Sequence, residues 1–370
     1  MDIGRAHDAE PAAAEVLAQR LADFAEGVRH LPLYHRISAA AADDPDVVAL
    51  MGAAAPGQAR PVLLLAALHD LVLRDPSVPA ARWYPSVVGA QLPTGDPWPD
   101  VRATLLGHAP ELRRVTATRS TQTNEVGRAV TVAAMLARAT ADLPDVPVAL
   151  VELGCSAGLL LGLDRYRVEV GPVVLGDPGS AVRCAGEVRS GGVGGLSLPS
   201  VVARVGVDAA PVPLDDVDEV RWLEACLWPD QPERLTRFRA AVALLRDDPP
   251  PVVRGDMVDH LAGVARDALA GAGTTGEDAH LVVVSSWALT YVRRDRRPVV
   301  AETLSALAAD GRAVSWLTAE PPGCVPGIEP PADVTADQTV LGARRWRGGR
   351  EVDPACWGTA HPHGAWLALR

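Results

Sequence analysis

The stretch VPVALVELGCSAG (146–158) decides the fold class. It is a continuous apolar run that ends in a Gly/Ser turn, a pattern typical of a buried parallel strand that leads into a helix. The helix is predicted over residues 156–166. Because parallel sheets are buried by helices on both faces, this stretch indicates an α/β fold.

Further apolar runs follow along the chain, with helical spacers between them. They predict strands within 250–258, 277–292 and 311–320. Near the end of the chain, a Gly-Gly turn at 348–349 between two extended segments predicts an antiparallel pair. Strands that alternate with helices indicate a doubly wound, Rossmann-like parallel sheet.

The region before the first strand has a different hydrophobic pattern. Residues 1–142 show helical patterns and no strand pattern, and 60–74 is apolar nearly all round, so it should be buried. Residues 178–249 are irregular and contain a Gly-rich loop. The sequence therefore predicts an N-terminal helical domain over 1–142 and an α/β domain over 143–370, with an insertion at 178–249.

Composition narrows the class of protein. The 46 acidic residues outnumber the 35 basic ones, for a net charge of −11, whereas nucleic-acid binders usually carry a basic patch. All the basic residues are Arg and only one residue is Asn, a bias typical of a GC-rich genome, so we expect an actinobacterial source.

The sequence also bears on compartment and metal sites. The five cysteines are far apart with no CxxC pair, which argues against a disulfide scaffold and a zinc site, and we predict no metal. There is no signal-peptide pattern and no apolar run of membrane-spanning length. We expect a cytoplasmic protein that binds neither nucleic acid nor a membrane.

The turn after the first strand carries the most chemistry. Gly154, Ser156 and Gly158 are small, so the backbone can approach a ligand closely, and amides at a helix start favour an anionic or polar group. Glu152 brings a carboxylate to the same crevice. The pattern E-x-G-x-S-x-G resembles the first motif of class I S-adenosylmethionine (SAM) methyltransferases, usually E/D-x-G-x-G-x-G, with Ser156 in place of the middle glycine.

That resemblance implies the positions of other site residues. Asp177 stands roughly where the ribose-binding acid is expected, and Asp256 where an acid meets the adenine side of the cofactor. The next strand normally carries residues that face the substrate and the methyl group. Those residues would be Ser285, Ser286, Trp287 and Tyr291, of which Trp287 and Tyr291 are candidate catalytic residues.

The chain also resembles, nearly end to end, an actinobacterial family known as domain of unknown function number 2332. The similarity is carried by stretches in the same order, which are LYHRIS (33–38), RSTQTNEVGR (119–128), VELGCSAGLLLGLDRY (151–166), RVGVDAAPVPLDD (204–216), RWLEACLWPDQPER (221–234), VRGD (253–256) and SWALTYV (286–292). Membership implies a methyltransferase-like fold, and it implies no particular activity.

A polar segment ahead of the first strand supplies candidate substrate-binding residues. If the helix downstream continues backward, Arg119, Gln122 and Thr123 fall on its inward face. The residues on the other side would be Asn124, Glu125 and Arg128. A buried arginine needs an anionic partner from the protein or a ligand, so a pocket lining and a structural capping segment both remain open.

Other candidates lie in the helical domain and the insertion. Trp228 and Asp230 would contact substrate if their segment forms a lid, and would otherwise anchor the insertion in a core. His69 and Tyr84 become candidate catalytic residues, each as a general base or a substrate contact, if the helical domain closes over the sheet. The alternative for His69 is a core histidine.

Three functional hypotheses follow. The first is SAM-dependent methyl transfer to a small polar metabolite, which depends mainly on positioning. The second is a SAM-independent enzyme of specialised metabolism that holds a carboxylate, phosphate or sulfate with the turn and Arg119, and catalyses an intramolecular cyclisation or elimination. The third is a non-catalytic ligand-binding or partner subunit. The expected partner is a small molecule, and a homo- or hetero-oligomer is compatible with all three.

Overall fold

The chain divides into two compact units, each discontinuous in sequence. The computed structural model describes residues 9–273 and 279–370. The helical unit comprises Met1–Thr123, described from residue 9 onward, and Asp216–Thr236. The sheet unit comprises Asn124–Asp215 and Arg237–Arg370. This division differs from the boundary expected at residue 142 and from the insertion expected at 178–249.

The helical unit is built from short helices. Proline stands at the start of four of them, a position where its missing N–H breaks no helix bond and its fixed φ is already helical. The helices are α1 (Ala9–Gly27), α2 (Pro32–Ala42), α3 (Pro45–Met51), α4 (Pro61–Arg74), α5 (Pro85–Val88), α6 (Trp98–Gly107), α7 (Ala109–Thr118) and α9 (Val217–Ala225).

The core of the helical unit forms around α4. Its residues from Leu63 to Val72 are all buried, which confirms the prediction from its apolar sequence. Trp222 of α9 belongs to the same core, although about a hundred residues of the sheet unit separate it from α7 along the chain. The segment 216–236 is therefore an integral part of this unit.

The described residues of the sheet unit form a mixed sheet of 11 strands in the order β3-β2-β4-β11-β10-β9-β8-β7-β1-β5-β6. The strands are β1 (Val148–Leu153), β2 (Arg167–Val170), β3 (Val173–Gly176), β4 (Arg183–Ser190), β5 (Val201–Asp208), β6 (Val252–Arg254), β7 (His280–Ser286), β8 (Val314–Glu320), β9 (Thr339–Arg347), β10 (Arg350–Ala360) and β11 (Trp366–Leu369). Its helices are α8 (Ala129–Thr140), α11 (Leu261–Gly271) and α12 (Arg297–Leu307), and the residues of α10 (Pro232–Leu245) are divided between the units.

Five consecutive strands of this sheet, β8, β7, β1, β5 and β6, are parallel. All six residues of β1 are buried, which confirms the buried parallel strand expected from the sequence. One face of these strands, including Ala149, Val151 and Leu153, shares a hydrophobic core with α11 and α12. The coarse expectation of an α/β fold is confirmed.

Two local expectations have opposite outcomes. The terminal antiparallel pair is confirmed, since β9 and β10 are joined by Gly348 and Gly349, whose φ values of 56° and 77° suit glycine. The α-helix expected at 156–166 is wrong. Gly158 adopts a left-handed φ of 69°, and the chain forms a 3₁₀ helix at Leu159–Arg165 instead.

The region expected to be an insertion contributes to the sheet. β5, which lies within it, is a direct neighbour of β1 along the whole length of that strand. None of the helices among the described residues is both long and apolar enough to cross a membrane.

Candidate functional site

The candidate site lies where the parallel strands end. β5 and β6 extend the sheet on one side of β1, and β7 and β8 extend it on the other side. In open α/β sheets, ligands bind outside the carboxyl ends of strands at such a reversal of strand order. Five side chains at this edge form what we call the edge cluster. They are Arg128, Glu152, Ser286, Trp287 and Glu320.

Glu152 is the penultimate residue of β1 and is only 5% exposed. Its Oε2 atom is buried and has no hydrogen-bond partner among the described residues. Burial raises the pKa of Glu152 to about 8, with Arg128 opposing the shift and Asp208 adding to it. The carboxyl group is therefore mostly protonated at neutral pH, and it can donate or accept a hydrogen bond.

Glu320 is the last residue of β8 and is fully buried. Its Oε1 accepts hydrogen bonds from the amides of Ala288 (3.1 Å) and Leu289 (3.2 Å). Its Oε2 lacks a partner of normal geometry, although the Ser285 hydroxyl approaches the carboxyl group. Burial raises the pKa of Glu320 to about 7, and the amides, Ser285 and Arg128 limit the rise.

Arg128 lies next to both carboxyl groups and immediately precedes α8. It is 8% exposed, and its Nε donates to the carbonyl of Pro362 (3.0 Å) and its Nη1 to that of Ser286 (3.2 Å). Its guanidinium carbon is 6.0 Å from the ring centroid of Trp287, within cation–π range. Arg128 is thus the cation that keeps the pKa values of Glu152 and Glu320 from rising further.

Trp287 follows β7 in an unusual backbone conformation. Its φ is 56°, a left-handed value that costs energy for a bulky side chain and is often found at functional sites. The indole Nε1 donates to Thr339 Oγ1 (2.8 Å), and the backbone amide donates to the carbonyl of Ala319 (3.0 Å). Beside it, the buried Ser286 Oγ has no hydrogen-bond partner among the described residues.

The turn after β1 is hydrogen-bonded to a carboxylate of the protein itself, that of Asp208. Gly154, Ser156 and Gly158 all have positive φ values, of 71°, 52° and 69°. The amide of Ser156 donates to Asp208 Oδ2 (2.8 Å), and Asp208 Oδ1 accepts from the amide of Ala210 (2.8 Å). Asp208 is the last residue of β5, the strand beside β1.

The other two acids predicted to bind the cofactor lie at different places, Asp177 away from this edge of the sheet and Asp256 at the carboxyl end of β6, beside β5. Asp177 follows β3 and lines an open cavity of about 560 Å³ that includes Val201, the first residue of β5 and therefore at the opposite end of that strand from Asp208. Asp256 follows β6 and accepts hydrogen bonds from the amides of Val258 and Asp259. It also pairs with Arg296 (3.1 Å). Although burial opposes it, these contacts lower the pKa of Asp256.

Tyr291, a predicted catalytic residue, is not part of the edge cluster and faces solvent. Its side chain is 82% exposed, in a 3₁₀ turn at Leu289–Tyr291. Trp287, four residues earlier, is instead held in the site by the hydrogen bond from its indole to Thr339.

The structure brings His69 and Tyr84 together in the core of the helical unit. Their ring centroids are 5.3 Å apart. His69 Nδ1 lies 3.1 Å from the carbonyl of Ala225, and Nε2 lies 2.8 Å from Ser86 Oγ. Ser86 was not singled out from the sequence, because a lone serine after Tyr-Pro carries no motif.

Trp228 and Asp230 lie in the same unit, against α2. The carboxylate of Asp230 accepts hydrogen bonds from the amides of Leu33 (2.8 Å) and Tyr34 (3.1 Å). The Trp228 ring lies 6.5 Å from the ring of Tyr34. Both residues therefore anchor the segment 216–236 in the helical unit, the alternative named in the sequence analysis.

The segment 119–128 is buried in the reverse of the expected pattern. Thr123 is exposed and Gln122 half-buried, whereas the residues assigned to the outer side are buried, namely Asn124, Glu125 and Arg128. The continuous helix on which that assignment depended does not form, because α7 ends at Thr118 and a 3₁₀ turn begins only at Val126.

Arg119 finds its anionic partner within the helical unit. Its Nη1 is 2.5 Å from Glu219 Oε2, and its guanidinium lies 5.4 Å from the ring of Trp222. The pair with Glu219 raises the pKa of Arg119 against the effect of burial. The structure therefore supplies a protein carboxylate for the arginine, as the capping interpretation requires.

A family model described as "Uncharacterized protein conserved in bacteria (DUF2332)" matches residues 18–368. No curated protein matches the chain at a significant level. Among the described residues, no group of three or more His, Cys, Asp or Glu side chains is arranged to hold a metal ion.

Proposed function

The chain belongs to the DUF2332 family of bacterial proteins, and from that premise we propose that it is a methyltransferase-like enzyme that transfers a methyl group from SAM to a small polar metabolite. The observation that carries the proposal is the unpartnered carboxyl oxygen of Glu152 at the reversal of strand order. Buried polar atoms are almost always hydrogen-bonded, so this oxygen points to a missing ligand or water.

The strand order supports a fold of the class I methyltransferase type. The run β6-β5-β1-β7-β8 is parallel and follows the 3-2-1-4-5 order of doubly wound nucleotide-binding sheets. Beyond β8 the sheet continues with antiparallel strands instead of a sixth parallel strand. The resemblance therefore rests on the half of the sheet that carries the edge cluster.

The residues at the end of β1 and β5 fit a nucleoside-containing cofactor. Asp208 accepts one amide hydrogen bond on each oxygen, and a carboxylate has about four acceptor positions, so it retains capacity for ribose hydroxyls. Glu152 supplies a second acidic group beside the turn. When bound, SAM would supply an electrophilic methyl group.

The chain's own groups would position the acceptor and take its proton. A general base works best with a pKa near the operating pH, and the carboxyl groups of Glu152 and Glu320 titrate near neutrality. Trp287 presents an aromatic ring at the same edge, where it suits a cationic or apolar part of a substrate. An acceptor with an OH or NH group would match this set.

Calorimetric titration with SAM and S-adenosylhomocysteine tests the proposal. We expect binding by the wild type, at least about tenfold weaker binding by Asp208→Asn, and no change in Asp177→Asn, a matched aspartate at the other end of the sheet. Absence of binding at millimolar concentration would reject a SAM-dependent reaction and favour a non-catalytic ligand-binding or partner role.

The anion-holding hypothesis receives less support. The groups that it assigned to a ligand anion, the Ser156 amide and Arg119, are bonded to Asp208 and Glu219. Thermal unfolding in sulfate and phosphate provides the check, since protection by these anions without protection by SAM would favour it over methyl transfer.

A further inference from the structure

A serine, a histidine and a carbonyl oxygen are aligned in the helical unit. Ser86 Oγ lies 2.8 Å from His69 Nε2, and His69 Nδ1 lies 3.1 Å from the carbonyl of Ala225. His69 is fully buried, whereas Ser86 is partly exposed. A nucleophile, a base and a group that orients the base are the three parts of an activated serine.

The carbonyl fixes the tautomer of the histidine. A carbonyl oxygen only accepts hydrogen bonds, so the proton of neutral His69 resides on Nδ1. Nε2 then carries the lone pair and accepts the hydrogen bond from the Ser86 hydroxyl. This is the protonation state in which histidine takes a proton from serine.

Two phenol groups, Tyr84 beside the pair and Tyr34 close to Tyr84, point independently to a ligand. The hydroxyls of Tyr34 and Tyr84 are fully buried and have no hydrogen-bond partner among the described residues. Tyr84 packs against the His69 ring at 5.3 Å. Burial raises the pKa of Tyr84, and Asp230 adds to the rise. The hydroxyl therefore stays protonated and can donate a hydrogen bond to a ligand.

We propose that Ser86 is a nucleophile activated by His69, and that the helical unit has an acyl-transfer activity toward small uncharged esters. Ser86 Oγ bonds to the acyl carbon while its proton passes to His69 Nε2. The bond from that carbon to the leaving oxygen breaks, and the leaving alcohol takes the proton. Water then cleaves the acyl-serine and restores the hydroxyl.

The surroundings specify the class of ester. The core of the helical unit is apolar, and the carboxylate of Asp230 lies close enough to Tyr34 and Tyr84 to raise the pKa of both. An anionic substrate would be repelled there, while a neutral carbonyl oxygen would provide the acceptor that the phenols lack. This site lies within the helical unit and is independent of SAM binding.

Labelling of the full chain with a neutral alkyl fluorophosphonate tests the proposal. The same nucleophile displaces fluoride, and the adduct is located by peptide mass spectrometry. We expect one phosphonyl group on Ser86 and none in Ser86→Ala. The matched control is Ser77→Ala, which removes an exposed serine that bonds to Asp75 without a histidine and should label like the wild type. Labelling of His69→Gln should be at least about tenfold slower.

A second variant tests the proposal even if His69→Gln does not fold. In Ser86→Cys, with His69 intact, we expect alkylation by iodoacetamide at least about tenfold faster than in Ser77→Cys. Hydrolysis of p-nitrophenyl acetate should fall to the background rate in Ser86→Ala. The proposal is overturned if the wild type remains unlabelled, if Ser86→Ala labels equally, or if the two cysteine variants react at equal rates.

Discussion

Glu152 shows how one buried side chain links the stability of the fold to its chemistry. Its neighbours Arg128 and Asp208 act on it in opposite directions, and desolvation outweighs both. A protonated carboxyl group in this position can hydrogen-bond to a ligand as donor or acceptor, whereas an ionised one would need a cation. The same property lowers the stability of the folded state when the pH rises, because ionising this buried carboxyl group costs free energy.

The pH dependence of that cost is the prediction at the residue scale. The unfolded chain releases the Glu152 proton near its ordinary pKa of 4.5, and the folded chain keeps it until about 8. The free energy of unfolding should therefore fall between these values, by at most about 1.4 kcal/mol per pH unit, and level off above. Glu152→Gln removes this dependence.

Urea unfolding at about pH 5 and about pH 8 measures the effect. The stability of Glu152→Gln relative to the wild type should increase with pH, while Glu187→Gln, at an exposed carboxylate, should show no such trend. A constant difference at both values would show that Glu152 ionises in the folded chain as it does in the unfolded one.

At the scale of elements, local signals in the sequence predicted some of the structure, and distant partners were not predicted. The buried strand β1 and the Gly348-Gly349 hairpin depend on neighbouring residues, and both were predicted. Asp208 bonds to Ser156 from 52 residues away, a contact that no local pattern in the sequence indicates. Arg128 was placed on the outer side because a continuous helix was assumed where the chain is irregular.

An element-scale prediction concerns the start of α3. Asp44 caps this helix, since its Oδ1 accepts from the amides of Asp46 (3.1 Å) and Val47 (3.2 Å), and it also binds Arg102. Asp44→Ala should lower the free energy of unfolding by about 1–2 kcal/mol. The adjacent, exposed Asp43 is the control, because Asp43→Ala should change it by less than about 0.5 kcal/mol. Chemical denaturation of both variants measures these changes. Equal losses of stability in Asp44→Ala and Asp43→Ala would contradict the capping role.

At the scale of the whole molecule, the discontinuous helical unit could not be predicted from sequence patterns. The sequence around the switches at Thr123 and at Asp216 does not show that residues 216–236 return to the core of the first 123. What ties 216–236 to the first 123 residues is a set of nonlocal contacts, such as Arg221 with Asp70 (2.8 Å) and Asp230 with the amide of Leu33. A boundary at 142 therefore omits part of a core.

A fragment test follows from this division. Residues 1–142 alone lack Trp222, the Arg221 partner of Asp70 and the Ala225 carbonyl that contacts His69 Nδ1, so we expect no cooperative thermal unfolding by far-UV circular dichroism. Residues 1–123 joined by a flexible linker to 216–236 should recover a cooperative transition. A cooperative transition in the first fragment would show that α9 is dispensable for this core.

The late arrival of 216–236 also sets the order of events during synthesis. Chains grow at about 5–20 residues per second, so the first seven helices leave the ribosome roughly 5–20 seconds before the segment that completes their core. During that interval, the apolar surface that later contacts Trp222 is not yet buried by that residue. Nascent chains arrested between residues 123 and 216 should therefore recruit chaperones more strongly than chains arrested beyond α10.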